Sequence, residues 1–318
     1  MTTDQVSEHL SQIMQEADPG GERLSRVFRQ SFDQAYDGVN TGRYRPEDLS
    51  KTESAHIGSL VEINIRREFK DLIGDGTAMD YMIDGHEVDC KYSKHPYGWM
   101  IPNETLGHHA MVCHANDRAS TWRVGFVKIT EDILTTGSNR DQKRTIKAAG
   151  REDISWAWFD TDLVPNTLLQ IDQETASHIM EPKSGQERVN RLFRNAAGHI
   201  IPRGTVATVA MQKDYMKRVR SNGGARSRLQ PEGIIILGDF SYHQELAKEL
   251  GLPIPKKGDF LSVRVAQCDK NDPRRKVRLE HRYWTVAAAD DPAEMAPNVP
   301  HVPRESVIES HLDSALYT

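Results

Sequence analysis

Apolar positions along the chain repeat with two different periods, and the change of period marks out the expected elements. Leu24, Val27, Phe28 and Phe32 are spaced for one face of a helix near the start. Ile57, Leu60, Val61, Ile65 and Phe69 repeat that spacing and predict a helix over residues 55–70, with Thr52 in its N-cap region. Glu62 lies beside this stripe, and Arg66, one turn on, is its ordinary helical ion-pair partner. After a Gly/Asp-rich loop the period becomes two. Two short alternating runs are joined by Asp84-Gly85, a strong short-range hairpin signal. A two-residue turn sets Ile83 opposite His86 and, counting back, Asp80 across from Asp89. On the second strand Val88, Cys90 and Tyr92 take one face, and Glu87, Asp89 and Lys91 take the other. Residues 110–114 and 121–129 read as further strands of a central sheet.

The second half patterns differently. Residues 186–196 predict a helix with Val189, Leu192 and Phe193 inward and Arg188, Arg191 and Arg194 outward. Further helices are expected over residues 205–212 and 214–220, and strands over 233–237, 261–265 and 277–286. Short helices ending in a basic member, beside a small sheet, are what a helix-turn-helix with a wing requires. The mixed, proline-containing stretch before residue 185 is the expected domain boundary.

Composition narrows the classes. Three cysteines without paired spacing argue against a disulfide framework or a structural zinc site. The adjacent His108 and His109 lack zinc-site spacing and would point apart on a strand. The N-terminus lacks the flank and apolar run of a signal peptide, and no stretch approaches the ~20 apolar residues of a membrane span. A soluble, cytoplasmic protein with no membrane association is expected. The formal net charge of −5 conceals an asymmetry. Residues 183–282 hold 21 Lys and Arg against 10 Asp and Glu, so one part of the chain is suited to a polyanion.

Charge and hairpin geometry together suggest a chemistry. Two carboxylates in cross-strand register are destabilising unless a cation neutralises them. Asp80, Asp89 and the backbone carbonyl of Cys90 are candidate ligands for Mg²⁺, which favours carboxylate, carbonyl and water oxygens. Glu62 is a candidate for a second cation or a metal-bound water. Because an ordinary lysine amine is protonated near neutral pH, Lys91 is expected to orient water or stabilise phosphate charge rather than act as the sole base. Phosphodiester cleavage by a divalent cation fits this set. In the basic half, Lys217, Arg218, Arg220, Arg226 and Arg228 are the candidate DNA contacts. A repair or recombination nuclease, and a non-enzymatic DNA-binding regulator, remain alternatives at the level of these residues.

Asp80 with Asp89-Cys90-Lys91, preceded by the helical Glu62, resembles the PD-(D/E)xK nuclease superfamily, although Met79 stands where the motif has proline. The longer segments HIGSLVEINIRREF, DYMIDGHEVDCKYS, QKDYMKRVRSNGGARS and LQPEGIIILG resemble the NaeI-type, type IIE restriction endonucleases, and the similarity spans most of the chain. That resemblance implies an α/β protein: a restriction-endonuclease-like mixed sheet with flanking helices, plus a winged-helix-like DNA-binding domain. It implies an endonuclease domain over residues 1–165, a linker over 166–184, an effector-DNA-binding domain over 185–303 and a tail over 304–318. It further implies a homodimer with two double-stranded DNA copies, one as substrate and one as allosteric effector. Mg²⁺-dependent cleavage of a short GC-rich palindrome, with Glu62, Asp80, Asp89 and Lys91 as the catalytic set, completes the expectation.

Overall fold

Why the first half folds as it does is visible in where its apolar stripes go. A computed structural model of the protein describes residues 4–137 and 140–300, so the expected tail over 304–318 lies outside the described residues. The chain divides into two units, Met1–Tyr36 with Arg45–Val164, and Asp37–Tyr44 with Pro165–Thr318. In the first unit, α1 (Gln5–Ala17) is capped by Asp4, whose carboxylate accepts from Ser7 N, and α2 (Glu22–Tyr36) follows. The short α3 (Gly38–Thr41) belongs to the second unit. Helix α4 (Lys51–Glu68) begins earlier than its apolar stripe, because Ser50 and Glu53 form a reciprocal capping box. Thr52 is therefore inside the helix rather than at its cap. Ile57, Val61 and Ile65 of α4 are buried, each contributing about 1.5–3 kcal/mol.

Six strands form one sheet in sequence order: β1 (Ile73–Asp75), β2 (Tyr81–Ile83), β3 (His86–Ser93), β4 (His109–Asn116), β5 (Thr121–Lys128) and β6 (Ser155–Asp162). Only β3 and β4 run parallel; the other neighbours are antiparallel. The Asp84-Gly85 turn has both residues at positive φ, 46° and 77°, the backbone of a tight two-residue hairpin. It pairs Ile83 with His86 and Tyr81 with Val88, which leaves Asp80 one residue beyond the ladder. Val88, Cys90, Met111 and Cys113 face a core shared with α1, α2 and α4. Ala110, Val112 and Val127 face a second core with Trp99, Ile101 and Ile146. Asp89 is in register with Ala110, and Lys91 with Val112. A parallel pair requires a crossover, and here residues 94–108 supply it with a 3₁₀ turn, Asn103–Thr105, instead of an α-helix. Trp156 and Trp158 lie on β6, where a bulge opposite Val124 and Gly125 sends them to different cores.

The first unit also buries charge. Arg29 on α2 binds Asp117 through Nη1 at 2.5 Å and Asp33 through Nε at 2.9 Å, while the Tyr36 hydroxyl donates to Asp117 at 2.7 Å. Removing one member of such a set strands a charge away from water.

The second unit is also α/β. Residues 166–184, expected as a linker with some helix, hold α5 (Thr167–Gln170) and α6 (Gln173–Met180), with Leu168 and Ile179 in the core of the second unit. Next come α7 (Gly185–Asn195), β7 (Ile200–Pro202), α8 (Arg203–Ala210), α9 (Ala225–Leu229), β8 (Ile234–Leu237) and α10 (Ser241–Leu250). The long β9 (Asp259–Cys268) pairs antiparallel with β7, β8 and β11 (Arg282–Val286), which in turn pairs with β10 (Lys276–Leu279). The expected helix over 214–220 is only a 3₁₀ turn, Tyr215–Arg218. The stretch 277–286 is a hairpin reversed at Glu280-His281, both at positive φ. No described helix is long and apolar enough to cross a membrane.

Candidate metal and DNA sites

The acidic site is assembled by α4, the residue just before β2 and the middle of β3. Two hydrogen bonds tie α4 to β2: the Tyr81 hydroxyl donates to Glu62 O at 2.8 Å, and Arg66 Nη2 donates to Asp80 O at 2.9 Å. Arg66 Nη2 also donates to Glu62 Oε1 at 3.2 Å, so the helical ion pair and the approach to Asp80 coexist. Asp80 Oδ2 accepts from Cys90 N at 2.8 Å, continuing the hairpin through a side chain where the backbone ladder has ended.

Asp89 is buried, at 5% exposure. Its Oδ1 accepts from Lys91 Nζ at 2.5 Å, and its Oδ2 accepts from the Thr105 hydroxyl at 2.8 Å. Lys91 Nζ also lies 3.3 Å from Cys90 O and 3.8 Å from Asp80 Oδ2. Burial pushes the Asp89 carboxyl above its usual range and Asp80 adds to the rise, against the Lys91 and Thr105 contacts. Burial likewise raises Glu62, with Asp80 reinforcing and Arg66 opposing. In both carboxyls burial is the leading cause, and the neighbouring acid adds to it.

Among the described residues, no three His, Cys, Asp or Glu side chains close around one point as a metal cluster. What is present is narrower: the Asp80 and Asp89 carboxylates and the Cys90 carbonyl, with the Lys91 ammonium among all three. The oxygen neighbours of that ammonium are the donors named from sequence. Mg²⁺ usually takes only one or two protein carboxylates and keeps several waters, so an all-oxygen set this sparse fits it. Glu87, which shares the Asp89 face, has a different task. Its carboxylate accepts from Thr77 N, Ala78 N and Met79 N, clamping the loop that enters Asp80. Gly76 is required in that loop, since a Cβ there would lie 2.2 Å from Met79 O. Neither Glu87 as a clamp nor Thr105 as a partner of Asp89 was foreseen from sequence; Thr105 lies on the crossover, with no motif to mark it.

The basic candidates in the second unit divide into two groups. Lys217, Arg220 and Arg228 are exposed, although Lys217 pairs with Asp214 at 3.0 Å and Arg228 Nε donates to Gly223 O at 2.9 Å. Lys213, not singled out from sequence, is exposed beside them. Arg218 is half-buried and donates to Gln212 Oε1 at 2.7 Å. Arg226 is turned inward: Nε donates to Ile236 O at 3.1 Å, Nη2 is buried with no partner, and burial lowers its pKa to about 10. Arg188, expected outward, is buried at 7% exposure and donates to Val209 O and Ala210 O at the end of α8. Arg194 is exposed and pairs with Glu232, while Arg191 is half-buried and pairs with Glu181. Charge counted along the sequence therefore overstates the charge free to meet a polyanion.

Comparison with known proteins gives these features a family. The family model described as restriction endonuclease NaeI matches residues 8–295. A relative, the type II restriction enzyme NaeI of Lentzea aerocolonigenes, is 45% identical over 290 residues, covering 89% of this chain and 90% of that one. Both matches run through the acidic hairpin and the basic half alike, and the chain belongs to the NaeI restriction endonuclease family.

Proposed function

We propose that the chain is a Mg²⁺-dependent, sequence-specific endonuclease for double-stranded DNA, of type IIE, acting as a homodimer on a short GC-rich palindrome after a second DNA copy binds. The observation that carries the cleavage reading is the Lys91 ammonium held among Asp80, Asp89 and the Cys90 carbonyl. Asp80, Asp89 and Cys90 O would hold the cation, and Glu62 lies close enough to Asp80 and Asp89 to feel their charge. A bound divalent cation supplies polarisation of the phosphate and a more acidic water. The chain's own residues do the remainder. Lys91 places a positive charge beside the scissile phosphate, Glu62 accepts a hydrogen bond from the attacking water, and Glu87 and Arg66 fix the backbone that carries Asp80.

The second unit is read as the effector-DNA domain. The succession α7, β7, α8, α9, β8, β9, with the three strands in one antiparallel sheet, supports a winged-helix-like arrangement into which α10 is inserted. Exposed Lys213, Lys217, Arg220 and Arg228 offer phosphate contacts, which set position and affinity rather than sequence. A homodimer suits a palindrome, since one two-fold axis serves both strands.

Digestion of a sequenced plasmid with Mg²⁺, followed by mapping of both ends, tests the reading. Discrete fragments with ends at one repeated palindrome are expected, and chelation of the metal abolishes them. A smear, or binding without cutting at any Mg²⁺ concentration, overturns it. Cleavage-resistant cognate duplex should accelerate cutting of a poor substrate; no acceleration over a broad concentration range removes the effector role.

A further inference from the structure

We propose that Thr105 is a positioning residue for Asp89, one that selects which carboxylate oxygen is presented to the cation. The inference rests on the reading of Asp89 as a metal ligand and adds a residue outside the hairpin to that site. Its origin is topological. Because β3 and β4 are parallel, residues 94–108 return the chain from the end of β3 to the start of β4, beside Val88 and Asp89. The Asn103–Thr105 turn lies on this return, and Thr105 is fully buried there. Its backbone is fixed at both ends, with N donating to Pro102 O at 3.2 Å and O accepting from His108 N at 3.0 Å. The hydroxyl donates to Asp89 Oδ2 at 2.8 Å.

An aspartate carboxylate turns easily about its last torsion, where the energy wells are broad. Burial alone does not orient it. With Oδ2 committed to Thr105, Oδ1 is the oxygen turned toward Lys91 Nζ, the atom that also neighbours Cys90 O and Asp80 Oδ2. Thr105 thus keeps one oxygen aimed at the cation position and occupies the other. Partners of this kind commonly account for about 10–100-fold in metal affinity or activity.

The test measures Mn²⁺ binding to the full-length protein without DNA, by calorimetry and electron paramagnetic resonance, with the Mg²⁺ concentration for half-maximal cleavage as a second readout. Thr105→Val removes the hydroxyl and keeps the shape; it is expected to weaken Mn²⁺ binding about 10–100-fold and to raise the Mg²⁺ requirement in parallel. Thr105→Ser, which restores the hydroxyl, should recover both. Wild-type Mn²⁺ affinity in Thr105→Val overturns the inference. So does equal damage from Thr105→Ser, since loss of the methyl group would then be the cause. Should Thr105→Val fail to fold, Thr105→Ser against Thr105→Ala carries the same comparison. Asp89→Asn separates the two levels: if it retains wild-type Mn²⁺ binding, the metal-site reading itself fails. If it loses binding while Thr105→Val does not, only the role of Thr105 fails.

Discussion

The acidic hairpin of the first unit and the basic surface of the second use charge in opposite ways. Around Asp89 a few groups are buried and their atoms assigned one by one: Oδ1 to Lys91, Oδ2 to Thr105, and Asp80 Oδ2 to Cys90 N. Around Lys213, Lys217, Arg220 and Arg228 the charges are exposed and spread over loops and short helices. A reacting phosphate needs fixed geometry within tenths of an ångström. A DNA backbone needs many charges in roughly the right place, each acting through solvent and sensitive to salt. The two regions should therefore fail differently under mutation.

The largest effect is expected at the hairpin. Asp80→Asn keeps the shape and the hydrogen bond from Cys90 N but removes the charge. Losing several kcal/mol of metal-dependent stabilisation should slow cleavage by about 10³-fold or more, measured under single-turnover conditions with excess protein. A rate within tenfold of wild type would detach Asp80 from the chemistry. Next is a control inside the same unit. Asp117→Ala takes from the buried Arg29 one of its two carboxylate partners and should lower folding stability by about 3–5 kcal/mol, read from urea unfolding. An unchanged midpoint would show that burial of charge alone does not set stability here.

A smaller effect is expected in the second unit. Replacing Lys213, Lys217, Arg220 and Arg228 together by alanine should flatten the salt dependence of duplex binding by up to about one logarithmic unit per lost phosphate contact. Arg226→Ala, by contrast, should leave that slope in place while lowering thermal stability, because its guanidinium packs inward. A reversed pattern would collapse the distinction between exposed and internal arginines. The smallest effect concerns pH. Hydrogen bonds from Arg274 lower the Asp272 carboxyl from 3.8 to about 2. A depressed acid contributes stability above its unfolded pKa and loses it as pH falls through the folded value. The turn before β10 should therefore hold at pH 4 and loosen toward pH 2, followed by the Asp272 carboxyl resonance. Titration near 3.8 would contradict the contact.

What could be read from sequence followed from how local each feature is. The α4 stripe and the Asp84-Gly85 turn depend on neighbours a few residues apart, and together they set the face shared by Asp89 and Lys91. Thr105 reaches Asp89 only because a parallel pair forces a crossover, which no local pattern announces. The Glu280-His281 reversal carries neither Gly nor Asn, so its positive φ values had no residue signal. Arg188 and Arg226 turn inward, where they donate to the carbonyls of Val209 and Ile236, partners distant in sequence from Arg188 and unmarked by any local pattern. A charge in a sequence carries no label for the atom it will meet, so the hairpin is more legible than the basic surface.

The central claim, that cutting is done at Asp89 while holding DNA is done elsewhere, is tested most directly by one paired measurement on Asp89→Ala. Cognate duplex binding is followed by fluorescence anisotropy in the presence of chelator, and cleavage of the same duplex is followed after Mg²⁺ addition. Wild-type affinity with no detectable product is the predicted result. Product formation at a rate near wild type would contradict the account.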